Sequence, residues 1–162
     1  LSGDYFWRTD ASIAPAGYFD DLASHGLDLF VYLFGNVSSA SGHSLNQQGL
    51  YTAKDAVSGS WLHESGVTGV GTWNSGLSER ADDVAIYGSK GKIEFAVFDD
   101  VPLVLTNGDG RQEATIAHPE NIQLYHVHNM REHLLGNSTH PSTGRNGAHT
   151  SWVMDKILGL YK

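Results

Sequence analysis

The chain has 162 residues, about one domain, with 17% charged residues, 19 Gly and no Cys. A typical domain carries ~25% charged residues and ~7% Gly, so this composition points to turns and strands over a helical bundle. The formal charge of −8 comes without a Lys/Arg run, which excludes a duplex-binding face; no apolar stretch nears the ~18–20 residues of a bilayer span, and disulfides, zinc ribbons and thiol nucleophiles are excluded with cysteine.

Residue 1 is Leu with no signal-peptide pattern behind it, so a longer parent chain is expected. Residues 1–15 read as irregular, with Trp7, Arg8 and Asp10 ahead of the Ala14-Pro15-Ala16-Gly17 break. From Tyr18 to Phe34 the period is helical. Phe19, Leu22, Ala23, Leu27, Phe30, Val31 and Phe34 recur at three and four, and Gly35-Asn36 ends the run.

Between Asn36 and His118 the pattern becomes strands and turns. Tyr51–Lys54 and Val57–His63 are the first strand material. Val67–Trp73 has Gly at alternate positions, leaving one face nearly bare for a close approach. Two hairpins follow. Val84–Tyr87 and Lys92–Phe98 flank Gly88–Gly91, and Pro102–Thr106 and Arg111–Ala117 flank Asn107–Gly110. The helical period returns at Ile122–Leu135 and again from Ala148 to Tyr161. That order predicts a single α+β domain over 1–162, an open, mostly antiparallel sheet with helices on one face.

The chemistry-bearing candidate is Asp20-Asp21-Leu22-Ala23-Ser24-His25-Gly26-Leu27-Asp28. On a helix Asp21, His25 and Asp28 stand at i, i+4 and i+7 and share one stripe opposite the apolar face. Carboxylates beside an imidazole orient it for proton exchange with a hydroxyl. A solvated face with acids near the helix N-terminus has the same pattern, and spacing alone favours it.

Other motifs fail. His126 and His133 lie seven apart, about 10 Å along a helix, and His128 faces elsewhere, so no metal site is expected. Ser89-Lys90-Gly91-Lys92 lacks the first Gly of a P-loop, and Gly69-Val70-Gly71 meets Asn74 where a dinucleotide fingerprint needs its third Gly.

The stretch Ala16–Asp28 resembles the Gly-rich D-x-x-x-H-x-x-D segment of the Gfo/Idh/MocA oxidoreductases, the glucose–fructose oxidoreductase and inositol dehydrogenase relatives. Ile86-Tyr87-Gly88-Ser89-Lys90-Gly91 and Ser142-Thr143-Gly144 leading to Val153-Met154-Asp155 are similar too, in family order. The usual Gly triplet is reduced here to Pro15-Ala16-Gly17. The resemblance implies the family's C-terminal domain, of the glyceraldehyde-3-phosphate dehydrogenase C-terminal type. A Rossmann domain binding NAD or NADP is implied upstream, carrying the family's catalytic Lys. By matched position it makes His25 the catalytic imidazole, Asp21 the orienting carboxylate, Asp28 a supporting acid and Arg8 a substrate contact. A sugar, cyclitol or polyol substrate is implied, along with a homo-oligomer through the open sheet, whose partner would cover the bare Gly face. The alternatives are a non-catalytic sugar-binding or assembly module and an NAD-dependent glycoside-cleaving relative. The compartment expected is the cytoplasm, with the periplasm as the alternative.

Overall fold

Residues 6–160 are described by the computed structural model. They form two units, 6–78 with 141–160 and 79–140.

The first unit opens with a 3-10 turn, Trp7–Thr9. Helix α1, Tyr18–Phe34, follows where the period places it. Its buried side chains Phe19, Ala23, Leu27 and Val31 recur every fourth residue and form one core face. Leu22, expected on that face, is 36% exposed, because it lies one step off the stripe. Strands β1 (Val37–Leu45), β2 (Ala56–His63) and β3 (Thr68–Asn74) then form an antiparallel sheet in the order β1-β2-β3.

Strand β1 was not singled out in the sequence, since Val37-Ser38-Ser39-Ala40-Ser41-Gly42-His43-Ser44-Leu45 has no apolar alternation. It is held instead by its partners, with Gly42 opposite Gly59 in the register. Tyr51–Lys54, expected as a strand, is a bend. Its amides go elsewhere: Thr52 and Ala53 donate to Thr9 O at 3.3 Å each, and Lys54 donates to Pro15 O at 3.0 Å. Buried Asp55 closes the same loop by accepting from Gln47 and Gln48 N–H at 2.7 and 2.8 Å.

The inner face of this sheet carries Val57, Trp61, His63 and Trp73. Phe19 meets Trp73 edge-on at 5.0 Å and Phe30 stacks on Trp61 at 5.8 Å. Gly69 and Gly71 lie on this inner face, where an added Cβ would overlap the Trp61 indole or come within 2.6 Å of Trp73. The bare face of β3 is therefore filled from within, by indole rings. This corrects the expectation that the Gly face receives another chain. Helix α3, Gly144–Leu158, closes the core with Thr150, Val153, Met154 and Ile157 buried. It begins four residues earlier than the apolar period suggests. Gly159, with φ of 75°, caps its end, and the expected run to Tyr161 reaches outside the described residues.

The second unit is a four-stranded antiparallel meander of β4 (Val84–Gly88), β5 (Gly91–Phe95), β6 (Leu103–Asn107) and β7 (Gly110–Ala114). Both expected hairpins are present, but the strands form two sheets, not one continuous sheet. Asp82 fixes the chain after β5 by accepting from Phe98, Asp99 and Val97 N–H at 2.6, 2.9 and 3.1 Å. Burial acts to raise its carboxyl. These three donors and Arg80 outweigh that and hold it below the ordinary carboxylate value. Helix α2, Leu124–Leu134, carries no buried residue. The class is α+β, as expected. Among the described residues no helix is long and apolar enough to cross a membrane, and no group of three or more His, Asp or Glu is arranged to hold a metal ion.

Candidate active site

The site is built on α1 and on the segment that leads into α3. Gly17 starts α1 with φ 62° and ψ −126°, a backbone state that side chains rarely adopt. An added Cβ there would come within 2.6 Å of Lys54 O and 3.1 Å of Arg8 O. Of the Pro15-Ala16-Gly17 break, only the last position needs glycine, and it has it. Pro15 and Ala16 serve the same turn differently. Pro15 O takes the Lys54 amide, while Ala16 is buried and donates its N–H to Asp20 Oδ2 at 2.8 Å.

Asp21 lies in the first turn of α1 and is paired with Arg8. Arg8 Nε donates to Asp21 Oδ2 at 2.7 Å, with a second guanidinium nitrogen at 2.5 Å. The guanidinium lies against the Trp7, Phe6 and Tyr18 rings, 4.5, 5.1 and 5.9 Å from their centroids. Arginine suits this role because its planar cation can stack on rings while its nitrogens hold a carboxylate. Arg8 and Asp21 are thus brought together, each about a quarter exposed. In this geometry Arg8 serves Asp21 before it serves a ligand.

One turn further along, His25 is exposed and lines a pocket of about 250 Å³ with Asp28, Tyr32, Pro141, Ser142 and Asn146. Asp28 is half-buried, and its two oxygens are held by α3 and by the segment that leads into it. Thr150 donates to Oδ1 at 3.0 Å and Ser142 to Oδ2 at 3.3 Å. Thr150 is 3% exposed. This end of the stripe is therefore packed against α3, which is not how a solvated helix face is arranged. Asp20, next to Asp21, turns back toward the Ala16 amide. Burial pushes its carboxyl up, the Ala16 N–H opposes that, and Asp155 adds to the rise.

The structure thus places all four expected site residues along one helix face or against it. Arg8 holds Asp21 at one end, and His25 and Asp28 share the pocket further along. Sequence reasoning missed Tyr32, Asn146 and Thr150. Tyr32 was within reach, since it continues the stripe at i+11. Asn146 follows Thr143 at the third helical position, the spacing of a reciprocal helix cap. Thr150 had no local signal, because its partner Asp28 is 122 residues away.

Residues 2–94 match the family described as GFO/IDH/MocA C-terminal domain. The chain belongs to that family. A curated relative, Oxidoreductase P35 of Formosa agariphila, is 29% identical over 94% of this chain and 47% of its own length. Two solved structures share the fold at lower identity. An NAD binding oxidoreductase from Klebsiella pneumoniae has a TM-score of 0.78 at 15% identity, covering 98% of this chain and 52% of that one. An aldose–aldose oxidoreductase from Caulobacter crescentus, complexed with glycerol, has a TM-score of 0.77 at 18% identity, covering 96% and 48%. This GFO/IDH/MocA C-terminal domain spans about half the length of the relatives it matches. The family match covers α1 with Asp21, His25 and Asp28, and it ends inside β5, so the α3 side of the pocket lies beyond it.

Proposed function

We propose that this chain is the C-terminal, substrate-binding domain of an NAD(P)-dependent oxidoreductase that moves a hydride between a nicotinamide and a sugar, cyclitol or polyol carbon. The observation that carries the reading is the pocket shared by His25 and Asp28, with Asp21 fixed by Arg8 one turn earlier. Relatives named as oxidoreductases, one as NAD binding and one complexed with glycerol, support it.

The one glycine run considered for a dinucleotide does not form a phosphate-binding loop. Gly69-Val70-Gly71 lies within a strand, and its glycines are backed by tryptophan rings. The cofactor is accordingly assigned to a Rossmann domain upstream, where it would supply the hydride acceptor. This chain's part is the proton and the substrate's orientation. As a carbinol is oxidised, His25 accepts the hydroxyl proton, and it returns one in the reverse direction. Asp28 stands beside it as a hydrogen-bond acceptor for neighbouring hydroxyls. Asp21, its charge matched by Arg8, sets the approach from the other side. The domain alone is expected to be inactive.

A second copy of the chain is proposed against the outer face of the β1-β2-β3 sheet. That face carries Ser41, Ser60 and Val70 in one row and His43, Ser58 and Thr72 in the next, with Val70 82% exposed.

The experiment is NAD(P)-dependent oxidation of D-glucose and myo-inositol by the full-length protein, followed by reduced-nicotinamide absorbance, with His25→Ala alongside. Turnover should fall by ~10²-fold or more, the scale of a lost general base, while cofactor binding persists. Turnover unchanged by His25→Ala would sink the assignment of His25, and wild-type protein that binds sugar without turning it over would favour the sugar-binding module.

A further inference from the structure

We propose that Asn146 is a specificity-determining hydrogen-bond donor of the pocket, aiming its amide N–H pair at a ligand hydroxyl; this rests on the polyol reading above. Asn146 lines the pocket with His25, Asp28 and Ser142. Its Oδ1 accepts from Thr143 N–H at 3.1 Å and from the Thr143 hydroxyl at 2.6 Å. A backbone N–H only donates, so the amide cannot be turned over without setting its NH₂ against that donor. The helix cap therefore decides which end of the side chain faces the ligand. Nδ2 makes no hydrogen bond among the described residues. It is the end left to the pocket.

Asp28 presents the opposite chemistry. Each of its oxygens takes one hydroxyl, from Thr150 or Ser142, and an ionised carboxylate has about four lone-pair sites, so capacity remains. A donor-only group and an acceptor-only group in one pocket select a ligand group that both accepts and donates. A free hydroxyl does both. An ether oxygen only accepts, and a deoxy carbon does neither. The pair therefore favours a free hydroxyl over a methylated or deoxygenated position beside the reacting carbon.

Two variants separate this role from the cap. Asn146→Asp keeps an acceptor for Thr143 but loses the N–H donors, whereas Asn146→Ala loses both. Binding of D-glucose and myo-inositol to the full-length protein would be measured by ligand-observed NMR, alongside KM, kcat and melting temperature. Both variants should weaken the bound probe by ~10-fold or more, as a site built for a hydroxyl loses it, raising KM more than they lower kcat. Only Asn146→Ala should also lower the melting temperature. Unchanged binding in both variants would make Asn146 a helix cap and nothing more. Weakened binding in Asn146→Asp alone would be charge repulsion and would also overturn the proposal. Wild-type binding with the expected losses but without turnover would retain this inference while the redox reading fell. Wild-type protein that binds neither probe would overturn both.

Discussion

Thr150→Val tests whether α3 holds the carboxylate of the pocket. The substitution keeps the shape of a side chain that is 3% exposed and removes only the hydroxyl, which donates to Asp28 Oδ1 at 3.0 Å. Hydrogen bonds to charged groups contribute ~1.5–3 kcal/mol. Asp28 is half-buried and borders the pocket, so water can reach part of the freed oxygen, and the lower end, ~1.5 kcal/mol, applies. For a domain of this size each kcal/mol shifts its own unfolding transition by ~2–4 °C, so a fall of ~3–6 °C in that transition is expected. The contrast is Ser142→Ala. Ser142 is exposed and its bond to Oδ2 is 3.3 Å long, so its loss should stay within ~0.5 kcal/mol. Melting of the intact protein supplies one measurement. Hydrogen exchange of peptides from α3 supplies a local one, and it should quicken by ~10-fold for ~1.4 kcal/mol. Equal effects of the two variants, or wild-type melting and exchange in Thr150→Val, would show that the hydroxyl does not hold Asp28.

Gly69→Ala places a Cβ into the Trp61 indole and should cost ~1–3 kcal/mol by overpacking. In Gly147→Ala nothing lies within 4 Å of the new Cβ, and that helical change should stabilise by ~0.5–1 kcal/mol; melting curves that rank the pair the other way would contradict the packing. Asp20→Asn keeps an acceptor for the Ala16 amide and removes a carboxylate that burial pushes up. A raised folded value stabilises below the ordinary 3.8 and is lost as pH rises through the folded one. The variant should therefore melt higher than wild type at pH 7 by a screened ~0.5 kcal/mol, and the gain should fade toward pH 4; a gain independent of pH would assign it to packing.

Legibility in the sequence followed locality. Helix α1 and both hairpins carry their own signals, the apolar period and the Gly-rich turns, and they lie where those signals place them. Strand β1 carries none, because its serines and its one glycine, Gly42, let it lie flat under α3 beside Gly59 and do not fill a face. The alternating glycines of β3 could be read in sequence as a close approach, but the group that approaches Gly69 is Trp61, eight residues away in another strand, while Gly71 is met by Trp73 of its own strand. The candidate site divides in the same way. Asp21, His25 and Asp28 lie on one stretch of chain and could be found together. Ser142, Asn146 and Thr150 meet them only because α1 packs on α3, so no window of sequence contains both walls of the pocket.

That division bears on how the two carboxylates differ. Spacing makes Asp21 and Asp28 look equivalent about His25, one turn before and one turn after. The partners differ in kind. Asp21 is matched by a cation that is itself fixed against three rings, so little net charge remains to act on a neighbour. Asp28 is held by two hydroxyls, which orient it and bring no charge. Among the described residues no ion pair covers Asp28, and it lines the pocket with His25. On the proposed reading, a polyol entering there would meet the Asp28 carboxylate as acceptor beside the imidazole, with Asn146 as the donor. In that proposal the Asp21–Arg8 ion pair would be the fixed wall that sets the direction of approach. Two acids at helical spacing become an anchor and a charge, and the difference comes from the partners that the fold brings to each.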